Sequence, residues 1–148
     1  MTVGDRLVPN RVGLAVSSFN APITAPMRDA AHAVLSEAGV AEIPIFEVLG
    51  ALELPVAALA LIERGGCAGV VAIGAVIKGE TDHYTYVAGE ATRGIGEVAL
   101  RTGRPVGNAL LTVREYDHAF ERSRPGPGNK AAEAAQAVLA VCRGIASL

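Results

Sequence analysis

Short apolar runs alternate with longer amphipathic segments along the whole chain. Four runs of Val, Ile, Leu and Ala have the length of buried strands, and the most uniform of them, VVAIGAVI, suits the centre of a parallel sheet. The predicted strands are Val12–Val16, Ile43–Val48, Gly69–Val76 and Val106–Thr112. Helical periodicity, with glycine after several of the segments, predicts helices over Ile23–Ala38, Leu54–Arg64, His83–Thr102, Glu115–Arg122 and Asn129–Ala146.

Strands that alternate with helices form right-handed βαβ units, which place helices on both faces of a parallel sheet. The pattern therefore predicts a three-layer α/β/α sandwich with a four-stranded parallel sheet. We expect a single domain over residues 11–148, preceded by a short N-terminal extension over residues 1–10. Ligands of such sheets bind beyond the carboxyl ends of the strands, so candidate chemistry is sought there.

Composition narrows the class of protein. Of the 148 residues, 51% are hydrophobic, and this high fraction excludes a disordered chain. Only 4% are aromatic. Lys and Arg number 13 against 15 Asp and Glu, with no basic block, which argues against a nucleic-acid partner. The abundance of Ala, Val and Leu indicates more apolar surface than one small domain hides.

No segment predicts a membrane span or a secretory signal. The longest apolar stretches, Leu54–Ile62 and Gly66–Ile77, are shorter than the ~20 residues of a spanning helix. Cys67 and Cys142 lie in apolar surroundings without a CxxC partner, so we interpret them as buried free thiols. Free thiols suit a reducing compartment, and we expect a cytoplasmic protein.

The segments after the first two strands offer an aromatic ring and a carboxylate. Phe19 stands just outside a strand, where it can stack on a planar ligand or act as a hydrophobic staple for the next helix. Gly50 and Ala51 permit close backbone approach to a ligand. Glu53 either stabilises a helix start or accepts hydrogen bonds from sugar hydroxyls.

The segment after the third strand carries the most chemistry. Gly79, Glu80 and Thr81 offer backbone N–H groups and a hydroxyl ahead of a helix, as anion sites do. His83 begins that helix and is the best candidate for a general acid and base, the alternative being a capping histidine. The other histidines, His32 and His118, are predicted to be surface residues.

Near the C-terminus, Arg122, Arg124 and Lys130 surround the turn Pro125–Gly128. They form either a solvated basic loop or a phosphate site. Walker, GxGxxG, HExxH and GxSxG motifs are missing from the sequence, which disfavours the enzyme classes that depend on them.

Together these segments resemble the lumazine synthase family. The resemblance runs from about Val12 to Val141, and its strongest block is GAVIKGETDHYTYVAGEATRG at residues 74–94. In the same order as the family, the chain also has SSFN (17–20), GALELP (50–55), LLTV (110–113) and ER…GNK (121–130).

The resemblance implies a flavodoxin-like fold and the condensation of 5-amino-6-(D-ribitylamino)uracil with 3,4-dihydroxy-2-butanone 4-phosphate to 6,7-dimethyl-8-ribityllumazine. It implies no metal and no organic cofactor. His83 matches the catalytic histidine, and Glu80, Thr81 and Arg122 match the phosphate-binding residues. The residues that it implies for the ribitylaminouracil are Phe19, Ala51, Leu52, Glu53, Ala75, Val76, Ile77, Asn108 and Lys130.

The resemblance also implies pentamers whose active sites lie between subunits, with Asn108 and Lys130 contributed by the neighbour. We favour the pentamer as the minimal unit and the 60-subunit shell over smaller assemblies, with riboflavin synthase as a candidate partner. Leu52 and Asn108 stand where the family often has Phe, which thins the aromatic lining of the site. A non-catalytic lumazine or flavin carrier, or a shell-forming paralogue, is the alternative function.

Overall fold

Four parallel strands form the sheet at the centre of the molecule. The computed structural model describes residues 7–148. Its strands are β1 (Val12–Ser17), β2 (Ile45–Val48), β3 (Gly69–Ile77) and β4 (Val106–Val113), and they lie in the order β2-β1-β3-β4. Leu14 of β1 pairs with Ile45 on one side and Val71 on the other, so β1 and β3 are central.

Helices connect the strands. They are α1 (Ala21–Glu37), α2 (Leu54–Glu63), α3 (His83–Thr102), α4 (Tyr116–Ser123) and α5 (Lys130–Ala146), with a 3-10 turn at Ala51–Glu53. On one face of the sheet, buried side chains of α1, α4 and α5 pack together, among them Ile23, Met27 and Val138. On the other face, α2 and α3 bury residues such as Leu54 and Ile95. The predicted three-layer α/β/α sandwich is therefore confirmed.

Two boundaries differ from the sequence prediction by two residues, each for an identifiable reason, while the others agree within one residue. Strand β2 begins at Ile45 rather than Ile43, because Pro44 has no N–H to donate although its carbonyl accepts from Leu14 N at 2.9 Å. Helix α1 begins at Ala21 rather than Ile23, because Pro22 is tolerated in the first turn of a helix, where N–H groups have no intrahelical acceptor.

Helix α3 is continuous through its glycines, although Gly94 and Gly96 suggest a break. A Cβ atom at Gly94 would lie 2.6 Å from Pro55 Cγ, so glycine allows α3 to approach α2 closely. The helix ends at Gly103, which adopts a left-handed conformation with φ +67°. Close packing between α2 and α3 thus explains why glycine stands at position 94, although glycine lowers intrinsic helix propensity.

Several predictions outside the site are also confirmed. Cys67 and Cys142 are free and buried, and burial raises the pKa of both thiols. His32 and His118 are exposed. Of the helices in residues 7–148, none is long and apolar enough to cross a membrane. Most of the predicted N-terminal extension lies outside the described residues, but Val8 packs against the core.

Candidate functional site

The carboxyl ends of β1 and β3 meet at a cavity of about 420 Å³. Chain connections diverge from these two central strands, so the cavity occupies the topological switch point of the sheet. Its lining comes from the end of β3, from the segments that follow β1, β2 and β3, and from the first turns of α3. The lining residues are Phe19, Gly50, Ala51, Leu52, Glu53, Ala75, Val76, Ile77, Gly79, Thr81, His83, Tyr84 and Val87.

The loop that carries Phe19 is fixed by hydrogen bonds on both sides. Asn20 has a left-handed backbone with φ 64°, and its Nδ2 donates to Ala75 O of β3 at 3.0 Å. Phe19 N donates to Leu49 O, which ties the loop to the end of β2. The Phe19 ring itself is 70% exposed and lines the cavity, so it does not pack as a buried staple under α1.

Glu53 closes the turn ahead of α2 and also lines the cavity. Its Oε1 accepts a hydrogen bond from Gly50 N at 3.1 Å, which closes the 3-10 turn ahead of α2. The same residue lines the cavity and is exposed to solvent, so its remaining acceptor positions face ligand space. Ala51, beside it, is buried, whereas Leu52 is half exposed.

Thr81 and His83 share the rim of the cavity at the start of α3. Thr81 Oγ1 accepts a hydrogen bond from His83 N at 3.3 Å, which orders the segment that enters the helix. The imidazole of His83 is exposed and lines the cavity. The hydroxyl and the N-terminal end of a long helix favour an anion here, and Gly79 lines the same cavity. Glu80 is exposed but is not among the lining residues.

The remaining predicted site residues lie elsewhere. Asn108, Arg122 and Lys130 border a second depression, of about 300 Å³, on the outer side of β4. Arg122 Nη1 donates to His118 O at 2.9 Å, and Lys130 Nζ contacts Glu133 Oε2 at 3.1 Å. A single chain therefore groups its predicted site residues on two surfaces, and Arg122 does not line the cavity that contains Thr81.

Asn129 holds the second depression together and is almost completely buried. Its Oδ1 accepts from Ala131 N and Ala132 N, which caps α5, while its Nδ2 donates to Ser123 O and Arg124 O. One side chain thus joins the end of α4 to the start of α5. This connection fixes the positions of Arg122 and Lys130 relative to each other.

Comparison with known proteins identifies the family. The sequence profile of 6,7-dimethyl-8-ribityllumazine synthase matches residues 9–145. The chain belongs to this family. Its relatives include the 6,7-dimethyl-8-ribityllumazine synthase of Levilactobacillus brevis, 40% identical over 135 residues that cover 90% of this chain and 86% of the relative. The corresponding protein of Nitratidesulfovibrio vulgaris is 44% identical over 102 residues, which cover 69% of this chain and 65% of the relative.

Family membership confirms the resemblance drawn from the collinear motifs, and the parallel sheet agrees with the fold that it implied. The cavity lining also includes two residues that sequence reasoning left out, Tyr84 and Val87. Helical spacing could have found Val87, which lies four positions after His83 on the same helix face. Tyr84 follows His83 directly, so helical spacing gives no such signal for it.

Proposed function

We propose that this chain is a transferase that forms 6,7-dimethyl-8-ribityllumazine in riboflavin biosynthesis. It condenses 5-amino-6-(D-ribitylamino)uracil with 3,4-dihydroxy-2-butanone 4-phosphate and releases phosphate and water. The observation that carries the proposal is the cavity at the switch point, where Phe19, Glu53, Thr81 and His83 converge in a chain of this family.

The cavity offers complementary surfaces for the uracil substrate. Phe19 stacks on the flat pyrimidine, since its exposed ring is free to present a face. Ala51, Leu52 and Glu53 line the ribityl chain, whose hydroxyls donate to the Glu53 carboxylate. The residues of β3 that reach the cavity, Ala75–Ile77, contact the edge of the ring through backbone groups.

The phosphorylated substrate is held by charge. Backbone N–H groups around Glu80 and the Thr81 hydroxyl receive the phosphate at the start of α3. Arg122 supplies the cation, because a guanidinium binds phosphate oxygens in pairs. Arg122 lies on the second depression of the same chain, so in this proposal it reaches the cavity of a neighbouring copy.

A site shared between copies requires a homo-oligomer. We propose a pentamer in which the β4 depression of one subunit, with Asn108, Arg122 and Lys130, closes over the cavity of the next. Twelve pentamers would form the 60-subunit shell.

We also propose a cytoplasmic location, supported by the two buried free thiols. Riboflavin synthase is the proposed partner, because it uses the product.

The proposed reaction proceeds through condensation and elimination. The 5-amino group of the uracil attacks the ketone carbon, and loss of water from the carbinolamine gives an imine. Elimination breaks the C–O bond to phosphate, which leaves with its electron pair. The ribityl-bearing amine then closes the ring with loss of a second water. Each step moves a proton, and His83 on the cavity rim takes up and returns it.

The test is to mix both substrates with the protein and to follow lumazine absorbance above the uncatalysed rate. Formation faster than that background supports the enzyme. A protein that binds the lumazine but leaves the rate at background would instead be a non-catalytic carrier, the function that the thin aromatic lining favours. Sedimentation velocity on the same sample separates the pentamer from the 60-subunit shell.

A further inference from the structure

Asn20 occupies the position at which an asparagine ordinarily caps a helix, but its side chain does not cap one. It is the residue before α1, and asparagine is favoured there because its side-chain oxygen can accept from N–H groups of the first turn. The Asn20 side chain makes no such hydrogen bond. Helix capping therefore does not explain why asparagine stands at position 20.

The backbone conformation of Asn20 does not explain the amide either. Asn20 is left-handed, with φ 64°, and among residues 7–148 it is the one residue other than glycine with a positive φ. Asparagine tolerates this conformation better than most residues with a side chain, but glycine tolerates it best. Since glycine would satisfy the backbone, the reason for the amide lies in what it contacts.

The amide gives β3 a hydrogen bond at a point where β1 no longer pairs with it. The pairing between β1 and β3 ends at Ile73, whereas β3 continues to Ile77. Lys78 N donates to β4, so even-numbered residues of β3 point toward β4 and Ala75 points toward the side of β1. Asn20 Nδ2 donates to Ala75 O at 3.0 Å and so takes the place of the missing strand partner.

This hydrogen bond joins two surfaces of the cavity. Phe19, which precedes Asn20, and Ala75 both line it. In the proposed function the Phe19 ring stacks on the pyrimidine, and the backbone of Ala75 meets the edge of the same ring. Phe19 N is bonded to Leu49 O at the end of β2, and the Asn20 amide adds the bond to β3. The distance between the stacking ring and the strand therefore depends on this amide.

We propose that Asn20 is a positioning residue that holds Phe19 at the distance from β3 at which the flat uracil fits between them. The inference rests on the proposed function and deepens it, because it assigns the geometry of the uracil half of the site to one amide. Without the amide, the Phe19 loop has to be ordered when the uracil binds, and that cost lowers the affinity for this substrate. The sugar phosphate, placed at the start of α3, should bind as before.

The test uses Asn20→Gly, which accepts the left-handed backbone without strain and removes only the side chain. The Kd for the uracil, measured by calorimetry, should rise about fivefold. The kcat and the KM for the sugar phosphate should stay within about twofold. Asn20→Asp places an oxygen opposite Ala75 O and should weaken uracil binding at least as much. The control Asn10→Gly alters an exposed asparagine outside the cavity and should change none of these values.

A double-mutant cycle with Phe19→Ala separates positioning from other roles. Asn20→Gly should raise the uracil Kd less than twofold once Phe19 is alanine, because no ring remains to be positioned. A fivefold rise in that background would overturn the inference, as would an unchanged Kd in Asn20→Gly alone. An equal rise in the KM for both substrates would also overturn it, since that is the result of a general loss of structure.

Calorimetry keeps this test independent of turnover. A wild-type protein that binds the uracil but forms no product would refute the proposed enzyme, and the cycle would still decide the role of Asn20. Conversely, normal turnover with an additive cycle would refute the positioning role alone.

Discussion

Side chains in the cavity are positioned by their neighbours more than by their own packing. Phe19 is largely exposed, yet its backbone is fixed by Leu49 O on one side and by Asn20, bonded to β3, on the other. Holding a ring by its backbone leaves both of its faces free for a ligand. The fixed backbone places the ring at the cavity, so binding need order only the side chain.

Replacement of Phe19 tests the stacking role. Phe19→Ala should raise the KM for the uracil about tenfold, since an aromatic pair contributes about 1 kcal/mol beyond the apolar area that it buries. Phe19→Tyr preserves the ring and should keep that KM near the wild-type value. Steady-state kinetics with each substrate varied in turn gives the answer. An alanine effect on the sugar phosphate alone would contradict stacking on the pyrimidine.

His83 is expected to speed the reaction without being indispensable. His83→Ala should lower kcat about 100-fold, the lower end of what general acid–base catalysis supplies. Turnover should persist, because the cavity still brings two reactive substrates together. The control is His32→Ala, which removes an exposed histidine on α1 away from the cavity. Kinetics identical to wild type would remove His83 from the mechanism.

Arg122 should affect one substrate only. Arg122→Ala should raise the KM for the sugar phosphate about 10- to 100-fold, as expected for a hydrogen bond to a charged group. Arg124→Ala removes the same charge two positions away, from a residue that does not border the depression, and should change that KM little. A larger effect on the uracil than on the phosphate would reject the assignment.

At the scale of elements, local signals predicted the interior of the sandwich well. Helix α3 has the predicted bounds, His83–Thr102, because glycine marks its end and an exposed loop its start. Strand β2 was harder to place, since at an edge its residues Ile45–Glu47 are exposed and the apolar pattern alone does not set the register. The 3-10 turn at Ala51–Glu53 depends on the Glu53–Gly50 hydrogen bond, which periodicity cannot reveal.

Asn129 connects the end of α4 to the start of α5, so its replacement should lower the stability of the fold. Asn129→Ala leaves two N–H groups of α5 and two carbonyls at the end of α4 without their partner. We expect the free energy of unfolding to fall by about 2 kcal/mol, for a lost cap and buried unpaired groups. Urea denaturation at a fixed protein concentration measures it, since assembly also affects apparent stability.

Two further variants serve as a control and as a test of the separate acceptor and donor roles of Asn129. Asn10→Ala removes an exposed asparagine and should leave the urea midpoint unchanged. Asn129→Asp keeps the acceptor for Ala131 N and Ala132 N but loses both donors, so it should fall between alanine and wild type. Equal stability of Asn129→Ala and wild type would show that the buried amide does not join the helices.

At the scale of the whole molecule, the sequence predicted only part of the site, because the predicted residues lie on two separate surfaces of one chain. The sequence predicted which side chains follow the strands, and His83 and Thr81 do share one cavity. It could not place Arg122 relative to them, since that depends on whether α4 lies over the cavity or beside β4. The resemblance supplied Arg122 as a phosphate ligand, but the fold of one chain separates it from Thr81.

Part of the high aliphatic content lies on the surface of the helices rather than in the core. Leu100 on α3, Val56 on α2 and Phe120 on α4 are all more than half exposed. Apolar side chains that are exposed singly are common on monomers, whereas subunit contacts would bury them. The proposed site between subunits requires an assembly, and an assembly could cover these side chains.

Mixing two impaired variants tests whether the site is shared. His83→Ala and Arg122→Ala subunits, coexpressed and assembled at random, place an intact His83 beside an intact Arg122 of the neighbour in about one quarter of the sites. At sugar phosphate concentrations well below the KM of Arg122→Ala, the mixture should recover about a quarter of wild-type activity. If each site belonged to one chain, the mixture would show only the mean of its two parents, since no subunit would carry both side chains.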